Sequence, residues 1–181
     1  MPPFRRKAVY DEAALYDYAV EALGRRMRSV AELKRLLRHR VESQNDADRL
    51  VETVVGRLKE RRYLNDTEFA AAYIGYRREN EKFGRLRVIR DLKNKGVHRD
   101  VIEKSVGEAY AQADEEDLAR QFLARRRILK PSGDKQAAKV FRSLVRGGFT
   151  RQTSLAILKK WKVDDEVIAA LETESEDTAG T

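Results

Sequence analysis

Residues 69–77 read FAAAYIGYR, and a matching pattern stands at two other places in the chain. Residues 18–26 read YAVEALGRR and residues 118–126 read LARQFLARR, so the copies lie 51 and 49 residues apart. In each copy, apolar side chains recur at positions i, i+4 and i+5, which form one stripe of an amphipathic helix. A repeat of about 50 residues is typical of a tandem array of helical units.

Two further apolar sets recur with similar spacing, which predicts three helices in each repeat. The second set consists of Leu33, Leu36 and Val41, then Ile89, Leu92 and Val97, then Phe141, Leu144 and Phe149. Gly96 and Gly148 each precede the last residue of a set, where a left-handed helix cap belongs. The third set matches residues 50–56 with residues 101–107.

The composition favours helices throughout. Ala, Glu, Lys, Leu and Arg make up about half of the 181 residues, and the only prolines are Pro2, Pro3 and Pro131. We therefore predict an all-α fold, an elongated tandem array of three three-helix repeats. The predicted segments are a basic N-terminal tail at 1–10, repeats at 11–62, 65–111 and 114–162, and an acidic disordered tail at 172–181.

Local signals place the helix starts and one packing contact. Ser29 with Glu32 and Asn65 with Glu68 have the spacing of capping boxes, and Thr150 is a further candidate N-cap. A small residue follows the first stripe of every repeat, at Gly24, Gly75 and Ala124. Because glycine destabilises a helix interior, its recurrence predicts close backbone packing there.

The sequence shows no sign of catalytic chemistry. The chain has no cysteine and two histidines, His39 and His98, each beside basic residues at a helix end. It contains no phosphate-binding glycine loop and no nucleophile elbow, so we expect no enzyme activity, no cofactor and no metal. It also lacks a secretory signal and an apolar stretch of membrane-spanning length, which predicts a cytoplasmic protein, and we expect a monomer.

The aromatic residues divide into core candidates and one open case. Tyr73 and Phe122 share the apolar stripe, which favours core packing over base stacking. We also expect Trp161 to anchor the core of the last repeat. Phe83 lies in the charged segment 79–85, where the sequence leaves open a helix staple or a contact with a partner.

Positive charge is concentrated at equivalent positions of the three repeats. The chain carries 38 Lys and Arg against 30 Asp and Glu, a net charge of +8. Any single basic run is usually a solvated face, but recurrence at one helix junction predicts a polyanion-binding edge. The candidate partner- and DNA-binding residues are Arg25, Arg26, Arg28, Arg77, Arg78, Lys82, Arg85, Arg87, Arg90, Arg125, Arg126, Arg127 and Lys130.

The chain resembles the RecX family of recombinase regulators over about residues 15–160. The family's signature is carried here by Arg57-Leu58-Lys59, Tyr63-Leu64-Asn65-Asp66, Phe69-Ala70, Tyr73-Ile74 and Arg77, continuing with Gly84, Ile89, Leu92 and Lys95-Gly96-Val97. Ser29, Glu32, Leu33 and Leu37 are similar to its upstream repeat. Arg62 departs from the pattern, because family members usually have glycine before the Tyr-Leu pair.

The resemblance implies tandem three-helix repeats and a function in DNA repair and the SOS response. Members of the RecX family bind along the RecA nucleoprotein filament and inhibit strand exchange, ATP hydrolysis and cleavage of the SOS repressor. Some members also bind single- or double-stranded DNA. The residues themselves leave two alternatives open. One is a sequence-tolerant protein that acts on DNA alone, and the other is a helical-repeat scaffold.

Overall fold

The computed structural model describes residues 9–173, and this part of the chain consists of helices and connecting turns without a strand. The all-α prediction is therefore confirmed. The helices are α1 (Glu12–Arg25), α2 (Val30–Val41), α3 (Ala47–Glu60), α4 (Asp66–Glu79), α5 (Arg85–Asn94), α6 (Arg99–Tyr110), α7 (Glu115–Arg125), α8 (Asp134–Gly147), α9 (Arg151–Lys160) and α10 (Asp165–Thr173).

The helix starts follow the capping signals in the sequence. Ser29 and Glu32 form a complete capping box at the start of α2, in which each side chain bonds the backbone N–H of the other residue. Asn65 Oδ1 accepts the backbone N–H of Thr67 at 2.9 Å at the start of α4. Thr150 Oγ1 accepts the N–H of Thr153 at 3.2 Å at the start of α9. These side chains satisfy backbone donors that the first helical turn leaves free.

The chain divides into two compact units, and α4, α5 and α6 each contribute to both. The first unit contains Met1–Ala70 and Lys93–Val101, and its core is built where α1, α2 and α3 pack together. Leu15, Leu33, Leu37 and Leu58 are fully buried there. Gly96, at the end of α5, has a φ of 74°, so the predicted left-handed cap is confirmed.

The second unit contains Ala71–Leu92 and Ile102–Thr181, and α7, α8, α9 and α10 pack around a core of large side chains. Phe122, Leu144, Phe149 and Ile157 are almost completely buried in it. The core placement predicted for Phe122 is therefore confirmed. Gly148 caps α8 with a φ of 93°, as the sequence predicts.

Two packing predictions are wrong. A Cβ atom at Gly24 or Gly75 would meet nothing within 4 Å, and Ala124 is exposed, so no backbone approaches these positions closely. Trp161 is only partly buried, because it is the C-cap residue of α9 and lies at the edge of the second unit's core. Core positions nearby are filled instead by Ile157 and Leu158.

The predicted terminal tails fall mostly outside the described residues. Helix α10 ends at Thr173, two residues inside the segment predicted as an acidic tail, and residues 174–181 lie outside the described part. Residues 1–8 of the basic N-terminal segment lie outside it as well.

Candidate functional site

Phe83 enters the core of the second unit from the loop between α4 and α5. Its side chain is 7% exposed, and its ring centroid lies 6.0 Å from that of Phe122, which in turn contacts Phe149 at 5.3 Å. The Tyr110 hydroxyl donates a hydrogen bond to the Phe83 carbonyl at 2.9 Å. Of the two alternatives for Phe83, the structure favours packing within the chain.

Three guanidinium groups converge on the Phe83 ring. The Cζ atoms of Arg77, Arg87 and Arg126 lie 5.4, 5.3 and 5.4 Å from its centroid, within the distance for cation–π attraction. Because all three lie this close to one point, no two are more than about 11 Å apart. We call these three residues the Phe83 arginine cluster, which combines basic residues of the second and third predicted repeats.

One carboxylate holds two members of the cluster in place. Asp91 accepts a hydrogen bond from Arg87 Nε at 3.0 Å and lies 3.7 Å from Arg77 Nη2. Tyr73 completes the arrangement, since its hydroxyl donates to Asp91 at 3.1 Å and accepts from Arg77 Nε at 2.8 Å. Burial raises the pKa of Tyr73, so the phenol keeps its proton at neutral pH.

Arg126 differs from the other two members because it has no acidic partner in residues 9–173. It is the C-cap residue of α7, its side chain is exposed, and its guanidinium stacks on Phe122 as well, at 4.5 Å. Stacking holds the planar group while its in-plane N–H donors stay available. Three cations and one carboxylate leave the cluster with a local excess of positive charge.

A direct backbone contact positions this cluster. The N–H groups of Gly84 and Leu86 donate to the carbonyls of Gly147 and Gly148 at 2.9 and 3.0 Å, so the start of α5 is joined to the end of α8. A Cβ atom at Gly84 would lie 2.3 Å from the Gly148 oxygen. Glycine is therefore required at this junction, which sets the place of Arg87 in the first turn of α5.

The other predicted site residues of the second unit are mostly exposed, and one of them supports the fold. Arg85, Arg90, Arg125, Arg127 and Lys130 are exposed, and Lys82 is partly buried. Arg78 has a structural contact instead, because its Nη1 donates to the Ala109 carbonyl at the end of α6.

The first predicted basic group, Arg25, Arg26 and Arg28, belongs to the first unit. Arg25 pairs with Glu21 one turn earlier, and Arg28 Nε lies 3.5 Å from the Ala22 carbonyl. The common edge proposed for all three basic groups stays a prediction.

Sequence reasoning missed the residues that organise the cluster. The i, i+4 spacing of Arg87 and Asp91 was a usable signal for their ion pair. Tyr73 gave no such signal, because its partner Asp91 is 18 residues away. Nothing in the sequence pointed to Arg146, whose backbone carbonyl lies 3.5 Å from Arg87 Nη1 and 3.4 Å from Arg90 Nη2.

The described residues contain no alternative centre of metal chemistry. Within 9–173, no group of three His, Asp or Glu side chains is placed to hold a metal ion. His39 and His98 are exposed, and their Nδ1 atoms lie 3.1 and 3.5 Å from Glu42 and Asp100. Across the same residues, no helix is both long and apolar enough to span a bilayer.

Comparison with protein families matches residues 65–106 to the model described as RecX, second three-helix domain. The protein named regulatory protein RecX from Deinococcus radiodurans is 33% identical over 138 residues, which cover 75% of this chain and 62% of the relative. The regulatory protein RecX from Amycolatopsis mediterranei is 26% identical over 162 residues, which cover 88% of this chain and 87% of the relative. The one from Bacillus licheniformis is 29% identical over 152 residues, and there this chain spans about half of the relative's length, 55%.

Two solved structures share the fold. One is described as the crystal structure of regulatory protein RecX and aligns with a TM-score of 0.64 and 19% identity, covering 82% of this chain and 71% of the other. The second, RecX from Lactobacillus salivarius, aligns with a TM-score of 0.60 and 17% identity, covering 83% and 96%. The all-helical fold of this chain is thus shared with these solved structures, which is consistent with the predicted helical-repeat array.

Proposed function

Because the chain belongs to the RecX family, we propose that it is a negative regulator of RecA. It binds the RecA–DNA filament and inhibits strand exchange, ATP hydrolysis and cleavage of the SOS repressor. Binding alone produces these effects, so no catalytic group and no cofactor is needed. The filament offers two negatively charged surfaces to a basic protein, the phosphates of its DNA and the acidic side chains of RecA.

One observation carries the proposal. The segment matched by the family model, residues 65–106, contains α4 and α5, which supply Arg77 and Arg87 to the Phe83 arginine cluster. The same segment supplies the exposed cations Arg85 and Arg90. A regulator that must recognise a polyanionic filament needs such a concentration of positive charge, whereas a purely structural scaffold does not.

The test is RecA ATPase activity on single-stranded DNA, with and without the protein, over a series of salt concentrations. We expect inhibition by the parent protein that weakens as salt rises, because exposed charges are screened. The triple variant R85E/R90E/K130E should raise the concentration needed for inhibition at least tenfold, since each reversed charge adds repulsion. A matched control, R49E/K59E/K104E, reverses three other exposed cations and should inhibit nearly as well as the parent.

The outcomes separate the proposal from its alternatives. No inhibition by the parent at any salt concentration would reject regulation of RecA by this route. The positive surface also favours a second candidate, action on DNA alone. In that case added single-stranded DNA would restore ATPase activity in proportion to the free DNA, and the effect would not depend on the amount of RecA.

A further inference from the structure

Four non-glycine residues in the described part of the chain have a positive φ, and all four are basic. They are Arg62, Lys82, Arg127 and Lys162, with φ between 54° and 59°. This left-handed region favours glycine and, after it, Asn and Asp, because other side chains crowd their own backbone there. Lys and Arg make up 38 of 181 residues, so their exclusive use at these strained positions is not expected from composition.

Three of the four occupy the same place in the same backbone motif. Helices α3, α7 and α9 end in a Schellman motif, in which the residue after the C-cap is left-handed. In α7, for example, Arg127 N–H bonds the Ala124 carbonyl at 3.0 Å and Ile128 N–H bonds the Leu123 carbonyl at 2.9 Å. Helix α8 ends in the same way, but the equivalent residue is Gly148.

Gly148 shows why glycine is used in one motif and a basic residue in the others. A Cβ atom at Gly148 would lie 2.3 Å from the backbone nitrogen of Arg87, so packing demands glycine there. At Arg62, Arg127 and Lys162 the side chain extends into solvent and packing makes no such demand. A side chain is therefore accommodated at these three positions, and its role depends on what lies near it.

Helix electrostatics does not account for these cations. A basic residue near a helix C-terminus interacts favourably with the helix dipole, and it does so in the last turn without backbone strain. The last turns of α3, α4, α7 and α9 already contain Arg57, Lys59, Arg77, Arg78, Arg125, Lys159 and Lys160. A further cation on a left-handed residue adds little to that interaction.

Two of the four flank the Phe83 arginine cluster. Lys82 directly precedes Phe83, and Arg127 directly follows Arg126. Within residues 9–173, neither forms an ion pair with an acidic side chain. With the three cluster arginines they make five cations, of which only Arg77 and Arg87 are paired with a carboxylate, that of Asp91.

We propose that Lys82, Arg126 and Arg127 bind the phosphodiester backbone of a DNA strand, with Arg77 and Arg87 adding positive charge to the same cluster. The proposal rests on the proposed function, since it assigns the DNA of the filament to this surface. Stacked guanidinium groups present planar pairs of donors that match phosphate oxygens. The three cluster guanidiniums lie within about 11 Å of one another, which spans at most roughly three nucleotides at a rise of 3.4 Å, each with one negative charge.

Phosphodiester is favoured over an acidic protein surface by charge density. A strand of DNA offers a negative charge at every nucleotide, whatever its base sequence. Carboxylates on a protein surface are interspersed with neutral and basic groups. Three guanidinium groups around one ring, with two more cations next to them in the sequence, match the denser array.

The double variant K82G/R127G tests this assignment. Glycine adopts the left-handed conformation without strain, so the melting temperature should stay the same or rise, although two side chains are lost. Binding to a fluorescent thymidine oligonucleotide at low salt should weaken about tenfold. The slope of log K against log salt should fall by about 1.4, because each lost contact with a single strand removes about 0.7.

The matched control is R62G/K162G, which removes two charges and relieves two left-handed residues that do not adjoin the cluster. We expect it to weaken binding less than threefold. Equal weakening by both variants would mean that only net charge matters, and the proposed site would be wrong. A lower melting temperature for K82G/R127G would show that the two side chains support the fold, which also rejects the proposal.

RecA ATPase measurements on the same variants separate this site from the proposed function. If the parent binds the oligonucleotide but does not inhibit RecA, the proposed function fails, and the site is judged by DNA affinity alone. If K82G/R127G binds the oligonucleotide like the parent but no longer inhibits RecA, these cations contact the RecA protein, and the phosphodiester assignment is wrong.

Discussion

Gly84 and Gly148 lie where one added methyl group would strike backbone atoms of the neighbouring helix end. A Cβ atom on Gly84 would lie 2.3 Å from the backbone oxygen of Gly148, and a Cβ atom on Gly148 would lie 2.3 Å from the backbone nitrogen of Arg87. Gly75, although it recurs in the repeat pattern, has open space around it. Whether glycine is required at a position in this chain thus depends on the tertiary neighbours of that position. These neighbours differ even where the surrounding sequence is similar.

We predict opposite effects for two glycine substitutions. Gly84→Ala should lower the free energy of unfolding by roughly 1–3 kcal/mol, because the backbone oxygen of Gly148 cannot move aside without breaking the junction of α5 and α8. Gly75→Ala should raise it by up to about 1 kcal/mol, since alanine favours the helix and meets no neighbour. Urea unfolding of both variants checks the pair, and a neutral Gly84→Ala would contradict the tight junction.

At the scale of elements, the start of α2 is joined to the end of α5 within the first unit. The Ser29 hydroxyl donates to the Lys95 carbonyl at 2.5 Å, and Lys95 Nζ lies 2.9 Å from Glu32 Oε1. Burial alone would raise the pKa of Glu32. The hydrogen bonds from Lys95 and the Ser29 N–H outweigh burial and lower the pKa below its ordinary value of 4.5.

This lowered pKa makes a prediction about acid stability. Ionised Glu32 stabilises the fold above pH 4.5, and its contribution is lost as pH falls through the lower folded-state pKa. Glu32→Gln should therefore reduce the free energy of unfolding by about 1 kcal/mol at pH 7, from the loss of a charge-assisted pair. The difference from the parent should shrink as pH is lowered past 4.5 in urea titrations. If the difference in free energy of unfolding between Glu32→Gln and the parent did not depend on pH, the charge of Glu32 would not contribute to stability.

The elements themselves could be predicted from the sequence, because their signals are local. The capping box at Ser29 and the left-handed helix cap at Gly148 are formed within a few residues, and both predictions are confirmed, although the packing of Gly148 against Arg87 is not local. The site required contacts between distant segments. Phe83 contacts Phe122, which is 39 residues away in the sequence. No hydrophobic periodicity predicts how the loop between α4 and α5, which contains Phe83, is folded. The basic residues were recognised by recurrence, but recurrence did not separate Arg78, which binds the Ala109 carbonyl, from the cluster.

At the scale of the whole molecule, the net charge of +8 includes an acidic end that opposes the basic surface. Residues 174–181, outside the described part, contain Glu174, Glu176 and Asp177 and no basic residue. Three negative charges lower the net positive charge of the chain, and with it the attraction for DNA. Salt screens interactions between solvated charges over about 10 Å at 0.1 M.

Neutralising this end should strengthen DNA binding without affecting the fold. The variant E174Q/E176Q/D177N keeps the chain length and removes three negative charges. We expect tighter binding to a single-stranded oligonucleotide, by several-fold at low salt, because less negative charge competes for the cations. The advantage should disappear as salt is raised, and the melting temperature should match that of the parent, since α10 ends at Thr173. Unchanged affinity together with a lower melting temperature would show that these acidic residues stabilise the fold and do not compete with DNA.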